Sequence, residues 1–425
     1  MEDFPPRQVT LVLTDGRGTT LGSLPPFEVA TPWWQQVEEV VEGAREAFGL
    51  ELVVVRLLRA GAESVVHGGP VTYLAEPAVP RGPGLAATSL SPAALDALLT
   101  PWDGPDPLAE QPLRAPWARP GGAVSDVAWA LSAVAVHGAA DPDAVCEQVR
   151  TWNLSSIWRV PWAGGRAWLK VVPPFFAHEV GVLAALQGSG RVPRLLAGDV
   201  HDGCGRMVLA NARSDDATAD RGHRVRRGLS ALVPLQAECA GRLASFAALG
   251  VPDRRDDDVV VDTVARLLDA NRSHLSDADR ADARALVRDL PSVLAAERAA
   301  GLPDTLVHGD FHVGNVLGAG EEAVILDWGD SSLGQPARDV VRMVRWLPEP
   351  ERDAAWAHAV ALWAQAWPGA DLAVALAVAQ LTDDLLGAAA WQGFLDRIEP
   401  DERVYHEGDP PVGIANALRT WRALG

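Results

Sequence analysis

The sequence predicts an α+β protein in which strands dominate the first half and helices dominate the second. Before residue 212, short apolar runs alternate with Gly- and Pro-containing turns, as in strands joined by hairpins. After residue 212, apolar residues recur at helical spacing in stretches that end at Gly or Pro. A chain of 425 residues and 45.1 kDa is long enough for two or three domains with ample core.

The N-terminal residues, 1–76, are predicted to form a small α+β domain. A hairpin surrounds the turn Asp15–Gly18, and Gly49 is placed to cap the end of the helix that follows. The predicted elements are strands Gln8–Thr14 and Thr19–Gly22, helix Trp34–Phe48, and strands Glu51–Leu58 and Pro70–Leu74.

This order of hairpin, helix and strand, with the run Arg45–Leu50 at the helix end, resembles a degenerate Nudix domain. The Nudix helix carries a glutamate pair between its Arg-Glu and the closing Gly, and that pair is missing here. We therefore do not expect diphosphate hydrolysis. An unrelated amphipathic helix, with Glu38, Glu39 and Glu42 on a solvated face, explains the same residues.

The remaining chain is predicted to divide into three parts. Residues 77–122 are rich in Pro and Gly and form a linker with one short helix, Pro92–Leu99. Residues 123–211 form a β-rich part, in which a hairpin places Lys170 in a strand. Residues 212–425 are mainly helical. The predicted helices from residue 124 onward are 124–137, 174–185, 229–249, 259–274, 277–299, 337–347, 350–366 and 372–395.

Lys170 is the only lysine, whereas 36 arginines supply the other basic side chains. A compact ammonium on a flexible stem suits contacts to nucleotide phosphates better than a planar guanidinium does. A general bias of the composition toward arginine, with one lysine left by chance, would explain the same numbers.

A second pattern decides between these explanations. The run from His308 to Asn315 contains Asp310, and the strand-like run that follows it ends at Asp327. Phosphoryl transfer needs one carboxylate to orient and deprotonate the attacking hydroxyl. It also needs oxygen ligands that hold magnesium on the phosphates, which Asn and Asp side chains supply.

At these residues the chain resembles the aminoglycoside phosphotransferase family, whose members have the bilobal protein-kinase-like fold. The resemblance covers residues 125–425 and implies an ATP- or GTP-dependent kinase that requires Mg²⁺ and acts on a hydroxyl of a small molecule. The family roles map onto this sequence as follows: the catalytic base is Asp310, the magnesium ligands are Asn315 and Asp327, and the phosphate-binding lysine and its helix glutamate are Lys170 and Glu179. By position, Ser155 and Ser156 are candidate phosphate contacts.

Structural roles compete with some of these assignments. We interpret His308 as a residue that holds the backbone of the catalytic loop, and Asp339 as a helix cap or a brace for that loop. Asp310 and Asn315 taken singly could be turn residues. Ser155 and Ser156 could belong to an ordinary turn at the end of a strand.

The charge balance limits the partners. The net charge of −19 argues against nucleic acid and anionic membranes. The N-terminus shows no basic segment with an apolar stretch, and no uninterrupted apolar run has the length of a membrane helix, so we predict a cytoplasmic enzyme. The three widely spaced cysteines predict no disulfide framework and no metal site. Nothing in the sequence supports a protein partner for the N-terminal domain.

The acceptor is predicted to be a small molecule, because the segment between Asp327 and Asp339 is too short for a peptide-docking activation segment. The acids Asp383 and Asp384, with those between residues 396 and 409, could bind a cationic aminoglycoside, although acidic runs are usually solvated. Two alternatives remain open: a metabolic kinase for sugars or amino alcohols, and a catalytically silent, nucleotide-binding pseudokinase.

Overall fold

The computed structural model describes residues 4–15, 18–61, 67–78, 84–88, 90–141, 143–212, 221–318, 322–345 and 347–424. The chain divides into two compact units. The first unit comprises Met1–Ala177, Leu195–Asn211 and Arg397–Tyr405, and it contains two five-stranded sheets. The second comprises His178–Arg194, Ala212–Asp396 and His406–Gly425, and it is mainly helical. The predicted α+β class with a β-rich and a helical part is confirmed.

The first sheet is built from the N-terminal residues. Its strands run in the order β2-β1-β5-β4, with β3 also paired to β1, and β1 lies parallel to β5. The predicted hairpin is confirmed by antiparallel pairing of β1 with β2, although Gly16 and Arg17 of its turn lie outside the described residues. The elements are β1 (Arg7–Thr14), β2 (Thr20–Ser23), β3 (Phe27–Val29), helix α1 (Glu38–Phe48), β4 (Leu52–Ala60) and β5 (Gly69–Pro77).

Helix α1 ends as predicted but begins four residues later. Gly49 has the left-handed conformation (φ 66°), which glycine adopts at little cost, and its N–H bonds to the last turn. Trp34 is not helical, because its indole is fully buried and donates to the carbonyl of Gly68 over 2.9 Å. The resemblance to Nudix proteins stays a prediction.

The predicted linker packs onto the rest of the first unit. Trp117 is buried, and its indole donates to the carbonyl of Trp152 over 3.0 Å. A segment from the far end of the sequence joins the same core, since the Tyr405 ring packs edge-on against Trp34 and Trp152 at centroid distances of 5.9 and 5.7 Å. The helices of this region are α2 (Pro92–Asp96) and α3 (Gly122–Val134).

The second sheet carries the lysine strand. Its order is β6-β7-β8-β10-β9, all antiparallel, and Lys170 on β8 pairs with Ile157 and Met207. The strands are β6 (Glu147–Trp152), β7 (Ser155–Trp162), β8 (Gly165–Val172), β9 (Leu195–His201) and β10 (Cys204–Ala210).

The second unit confirms most of the predicted helices. The bounds predicted for 277–299 and 372–395 are those observed, whereas the helix predicted at 229–249 is two helices with a break at Gly241 and Arg242. The last helix was not predicted. The elements are α4 (His178–Leu186), α5 (Arg221–Ala240), α6 (Leu243–Ala248), α7 (Asp257–Ala270), α8 (Asp277–Ala299), β11 (Thr305–Val307), β12 (Val316–Leu317), β13 (Val324–Ile325), β14 (Ser332–Gly334), α9 (Ala337–Val344), α10 (Glu349–Ala366), α11 (Leu372–Leu395) and α12 (Asp409–Leu424).

Among the described helices, α11 alone has the length and apolar composition of a membrane span. Of its most apolar window, 61% is buried inside the protein, and a core helix meets the same criteria. Its two central carboxylates, Asp383 and Asp384, are buried and paired with arginines.

Candidate active site

The loop after β11 is fixed by a buried carboxylate. Asp339, at the start of α9, accepts hydrogen bonds from the backbone N–H groups of His308 (2.8 Å) and Gly309 (2.9 Å) and from the amide of Gln236 (2.9 Å). Gly309 has φ 87°, and a Cβ there would lie 2.1 Å from the carbonyl oxygen of Asp330. Asp339 therefore has the bracing role predicted for it, and the loop requires glycine at this position.

His308 also has the predicted structural role. Its ring is buried, and Nε2 lies 2.7 Å from the carbonyl oxygen of Leu326, while Nδ1 accepts the backbone N–H of Asp310 over 3.2 Å. The imidazole therefore connects the loop to the residue just before Asp327.

Asp310 presents a partly exposed carboxylate between two basic side chains. His312 Nε2 lies 3.4 Å from Oδ2, and Arg342 Nη1 lies 3.5 Å from Oδ1. Burial opposes ionisation, but the bond from His312 and the charge of Arg342 outweigh it and lower the pKa of Asp310 to about 2. The same bond raises the pKa of His312. Asp310 is consequently ionised over the whole neutral range.

Asn315 and Asp327 are brought together by a small hairpin. Strands β12 and β13 pair Val316 with Ile325, and the N–H of Leu326 donates to the carbonyl of Asn315 over 2.9 Å. The Asn315 amide nitrogen donates to the carbonyl of Asp310 over 3.0 Å, which leaves its side-chain oxygen for another contact. Asp327 is exposed.

Asp327 also has an uncommon backbone conformation, with φ 61°. Left-handed conformations of non-glycine residues cost free energy and concentrate at functional sites. The next residue is held firmly, since the backbone N–H of Trp328 donates to Glu179 Oε1 over 3.1 Å. Glu179, in the first turn of α4, is buried.

These oxygens fit a magnesium ion bound together with phosphates. Mg²⁺ is usually held by one or two carboxylates plus substrate phosphates and water rather than by a complete protein cage. Consistent with this, no group of three or more His, Cys, Asp or Glu side chains in the described part of the chain could hold a metal on its own.

The remaining predicted residues lie in the first unit. Lys170 is half-buried at the centre of β8. Ser155 and Ser156 are both buried, and their hydroxyls accept the indole N–H groups of Trp152 (2.9 Å) and Trp158 (3.1 Å). Both serines are the first residues of β7, next to the turn, and their burial argues against phosphate contacts by their side chains.

Sequence reasoning missed Arg342. Its guanidinium bridges Asp310 and Asp383, with Nη2 3.1 Å from Asp383 Oδ1. Arg342 lies three residues after Asp339 on α9, and this spacing places both residues on one face of the helix. That spacing is the signal that could have found it.

Two of the acids proposed for a cationic acceptor, Asp383 and Asp384, are paired with arginines. Asp383 is 1% exposed and is bonded to Arg342 and to Arg345, whose Nη2 lies 2.9 Å from Oδ2. Arg345 also lies 2.7 Å from Asp384 Oδ1. These ion pairs argue against Asp383 and Asp384 as ligands of a polycation, because both carboxylates already have arginine partners. The identity of the acceptor stays a prediction.

Comparison with known proteins defines the class. Residues 148–373, more than half of the chain, match the model of the phosphotransferase enzyme family. Together with the catalytic loop, this match makes the protein a kinase-like phosphotransferase for small molecules. The chain belongs to the phosphotransferase enzyme family. No curated protein matches it significantly.

The solved structures that are similar to the chain share little sequence with it. A GDP complex of an aminoglycoside 2′-phosphotransferase mutant has 14% identity and a TM-score of 0.50, covering 69% of this chain and 98% of that one. The macrolide 2′-phosphotransferase from Brachybacterium faecium has 17% identity and a TM-score of 0.47, covering 69% and 98%. A choline/ethanolamine kinase family protein from Mesorhizobium loti has 19% identity and a TM-score of 0.45, covering 70% and 99%.

Proposed function

We propose that the protein transfers the γ-phosphoryl group of ATP or GTP to a hydroxyl group of a small molecule. The observation that supports this most directly is the Asp310 carboxylate, which is ionised, partly exposed and held beside Asn315. Asp310 orients the acceptor hydroxyl and accepts its proton as the new P–O bond forms. Because its pKa is low, proton transfer comes late, as a loose transition state allows.

The other residues act on the nucleotide. Lys170 contacts its phosphates, and Glu179 helps to order the segment around Asp327 through its bond to Trp328. Asn315 and Asp327 hold Mg²⁺, which when bound neutralises charge on the phosphates. The acceptor is a sugar, an aminoglycoside or other natural product, or an amino alcohol. The pairing of Asp383 and Asp384 with arginines argues against these two acids as ligands of a polycation.

Turnover of ATP and GTP against a panel of aminoglycosides, macrolides, sugars and amino alcohols tests this function. We expect phosphorylation of one acceptor class, loss of turnover with EDTA, and recovery with Mg²⁺. Nucleotide binding without phosphorylation of any acceptor would favour the silent pseudokinase, and absence of nucleotide binding would contradict the proposal.

Lys170 allows a test that needs no acceptor, because it is the only lysine in the sequence. An amine-reactive reagent should label Lys170 and the α-amino group, which peptide mass spectrometry separates. Saturating Mg-ATP or Mg-GTP is expected to protect Lys170 alone, since the phosphates cover its ammonium. The Lys170→Arg variant serves as the unlabelled control, and equal labelling with and without nucleotide would exclude this role.

Replacing His312 by Asn should change the pH dependence of the reaction. His312 lowers the pKa of Asp310, so its loss raises that pKa, while burial of the carboxylate continues to oppose ionisation. Since the base must be ionised, activity is lost as pH falls through the new pKa. The acid limb of kcat/KM is expected to move to higher pH by roughly 1 to 3 pH units. An unchanged acid limb would show that His312 does not act on Asp310.

A further inference from the structure

The first unit contains a cavity of about 410 Å³ whose lining includes residues 173–175, shortly after Lys170 in the chain, but not Lys170 itself. Segment 112–119, the turn after β6 and the returning segment 397–402 contribute to its walls. This volume is in the range of sites for small organic ligands. Both charged and apolar side chains line the cavity, which therefore differs from an ordinary packing defect.

Glu402 lines this cavity without a partner for one carboxyl oxygen. The residue is 2% exposed, and Oε1 accepts no hydrogen bond from the described residues. Burial and the neighbouring Glu399 raise the pKa of Glu402 to about 8. Buried polar groups in native proteins nearly always have a partner, so a group without one points to a bound species.

The surrounding arginines do not supply that partner. Glu399, also in the wall, takes the nearest ones: Arg114 lies 3.0 Å and Arg56 3.8 Å from its Oε2. Arg114 also donates to the carbonyl of Ala109 over 2.8 Å. The other groups whose charge reaches Glu402 are Asp401 and Tyr405, and neither is a cation.

Two more exposed arginines belong to the cavity lining. Arg119 donates to the carbonyl of Arg114 over 3.4 Å, and the Arg397 guanidinium lies 4.6 Å from the centroid of the Phe175 ring. With Glu402 ionised, the lining arginines Arg114, Arg119 and Arg397 balance the lining acids Asp202, Glu399 and Glu402. The exposed arginines would repel a polycation, and the buried acid would repel an anion. A molecule that carries both charges can contact the acid with its cationic group and the arginines with its anionic group.

We propose that this cavity binds a small zwitterion, whose ammonium or guanidinium group donates to Glu402 and whose acidic group contacts Arg119 and Arg397. The ligand class comprises α-amino acids and amino acids with a longer spacer between the amino group and the acidic group. None of Lys170, Asp310, Asn315 and Asp327 lines the cavity, so the test of this site uses binding and does not depend on turnover.

Proton release identifies the contact with Glu402. In the empty cavity Glu402 carries a proton below pH 8, and a bound cation favours its ionised form. Binding at pH 7 therefore releases close to one proton. The release falls above pH 8, where the carboxyl is already ionised before binding.

Isothermal titration with L-arginine, L-lysine and γ-aminobutyrate at pH 7, in two buffers of different ionisation enthalpy, measures both binding and proton release. Spermidine, which carries only positive charge, and acetate, which carries only negative charge, are the comparison ligands. We expect each to bind more weakly than the best zwitterion. The Glu402→Gln variant should weaken binding roughly 10- to 100-fold and abolish proton release. Glu407→Gln, which makes the same chemical change at a nearby exposed position, is the matched control and should bind normally.

Two further readouts keep the test independent of folding defects. Arg119→Gln, at an exposed position, should weaken zwitterion binding while proton release per bound ligand stays the same. Glu402→Gln should raise Tm at pH 9 more than at pH 5, because the fold no longer has to bury an ionised carboxyl. The proposal is overturned if no zwitterion binds at millimolar concentration, if binding releases no proton, or if Glu402→Gln binds as the wild type does.

Discussion

Replacing Asp310 by Asn is expected to lower kcat for phosphoryl transfer by about 10²- to 10⁴-fold, the range typical for loss of a general base. An amide has the shape of the carboxylate, but it carries no charge and is a far weaker acceptor for the proton of the hydroxyl. Nucleotide affinity should change little, since the proposed phosphate contact is Lys170. Rapid-quench or coupled turnover assays with nucleotide titrations measure both quantities.

The control for this variant is Asp269→Asn, which makes the same chemical change on the exposed face of α7. It should keep full activity. If Asp310→Asn retains activity within a few-fold of the wild type, Asp310 is not the base and the proposed mechanism is wrong.

Replacing Asp383 by Ala is expected to destabilise the second unit by about 3–5 kcal/mol, the cost of breaking a buried ion pair from one side. Asp383 is 1% exposed and faces three arginines, with Arg342 at 3.1 Å, Arg345 at 2.9 Å and Arg338 at 3.9 Å. Its removal leaves the buried Arg338 without its nearby carboxylate, and it leaves Arg342 and Arg345 with one acidic partner each, Asp310 and Asp384. Urea unfolding followed by circular dichroism measures the change in the free energy of unfolding.

The same change should also affect catalysis, because Arg342 loses the partner that positions it beside Asp310. Asp383→Asn keeps the shape of the side chain and one acceptor oxygen. Its activity and its stability should therefore lie between those of Asp383→Ala and the wild type. Asp269→Ala on an exposed surface should cost under about 0.5 kcal/mol. An Asp383→Ala protein with wild-type stability would contradict the prediction and show that Asp383 is not needed to compensate the three arginines.

The sequence was sufficient to predict the residues of the catalytic loop because they are close together along the chain. Asp310 and Asn315 are five residues apart, and a short hairpin links Asn315 to Asp327, so local backbone geometry alone gathers them. The same locality explains why the bounds of α8 and α11 were predicted well: side-chain periodicity and caps act within a few residues.

Contacts between residues far apart in the chain, such as those of Asp383, could not be predicted from the sequence. The sequence showed that Asp383 interrupts an apolar helix. Only the packing of α11 against α9 shows that its carboxylate pairs with Arg342 and Arg345. Likewise, the acids near residue 400 looked like a solvated run, whereas Glu399 and Glu402 are buried in the first unit.

By itself, then, the sequence determined the α+β class and the phosphotransferase family, and it was enough to propose the catalytic residues, since each depends on residues near one another along the chain. The tertiary structure decided which charges are neutralised and which are available. It showed that Ser155 and Ser156 are buried, with hydroxyls that accept indole N–H groups, and that Arg342 reaches the proposed base. The physical reason is that the energy of a buried charge depends on what surrounds it in space, and that environment comes from segments far apart in the sequence.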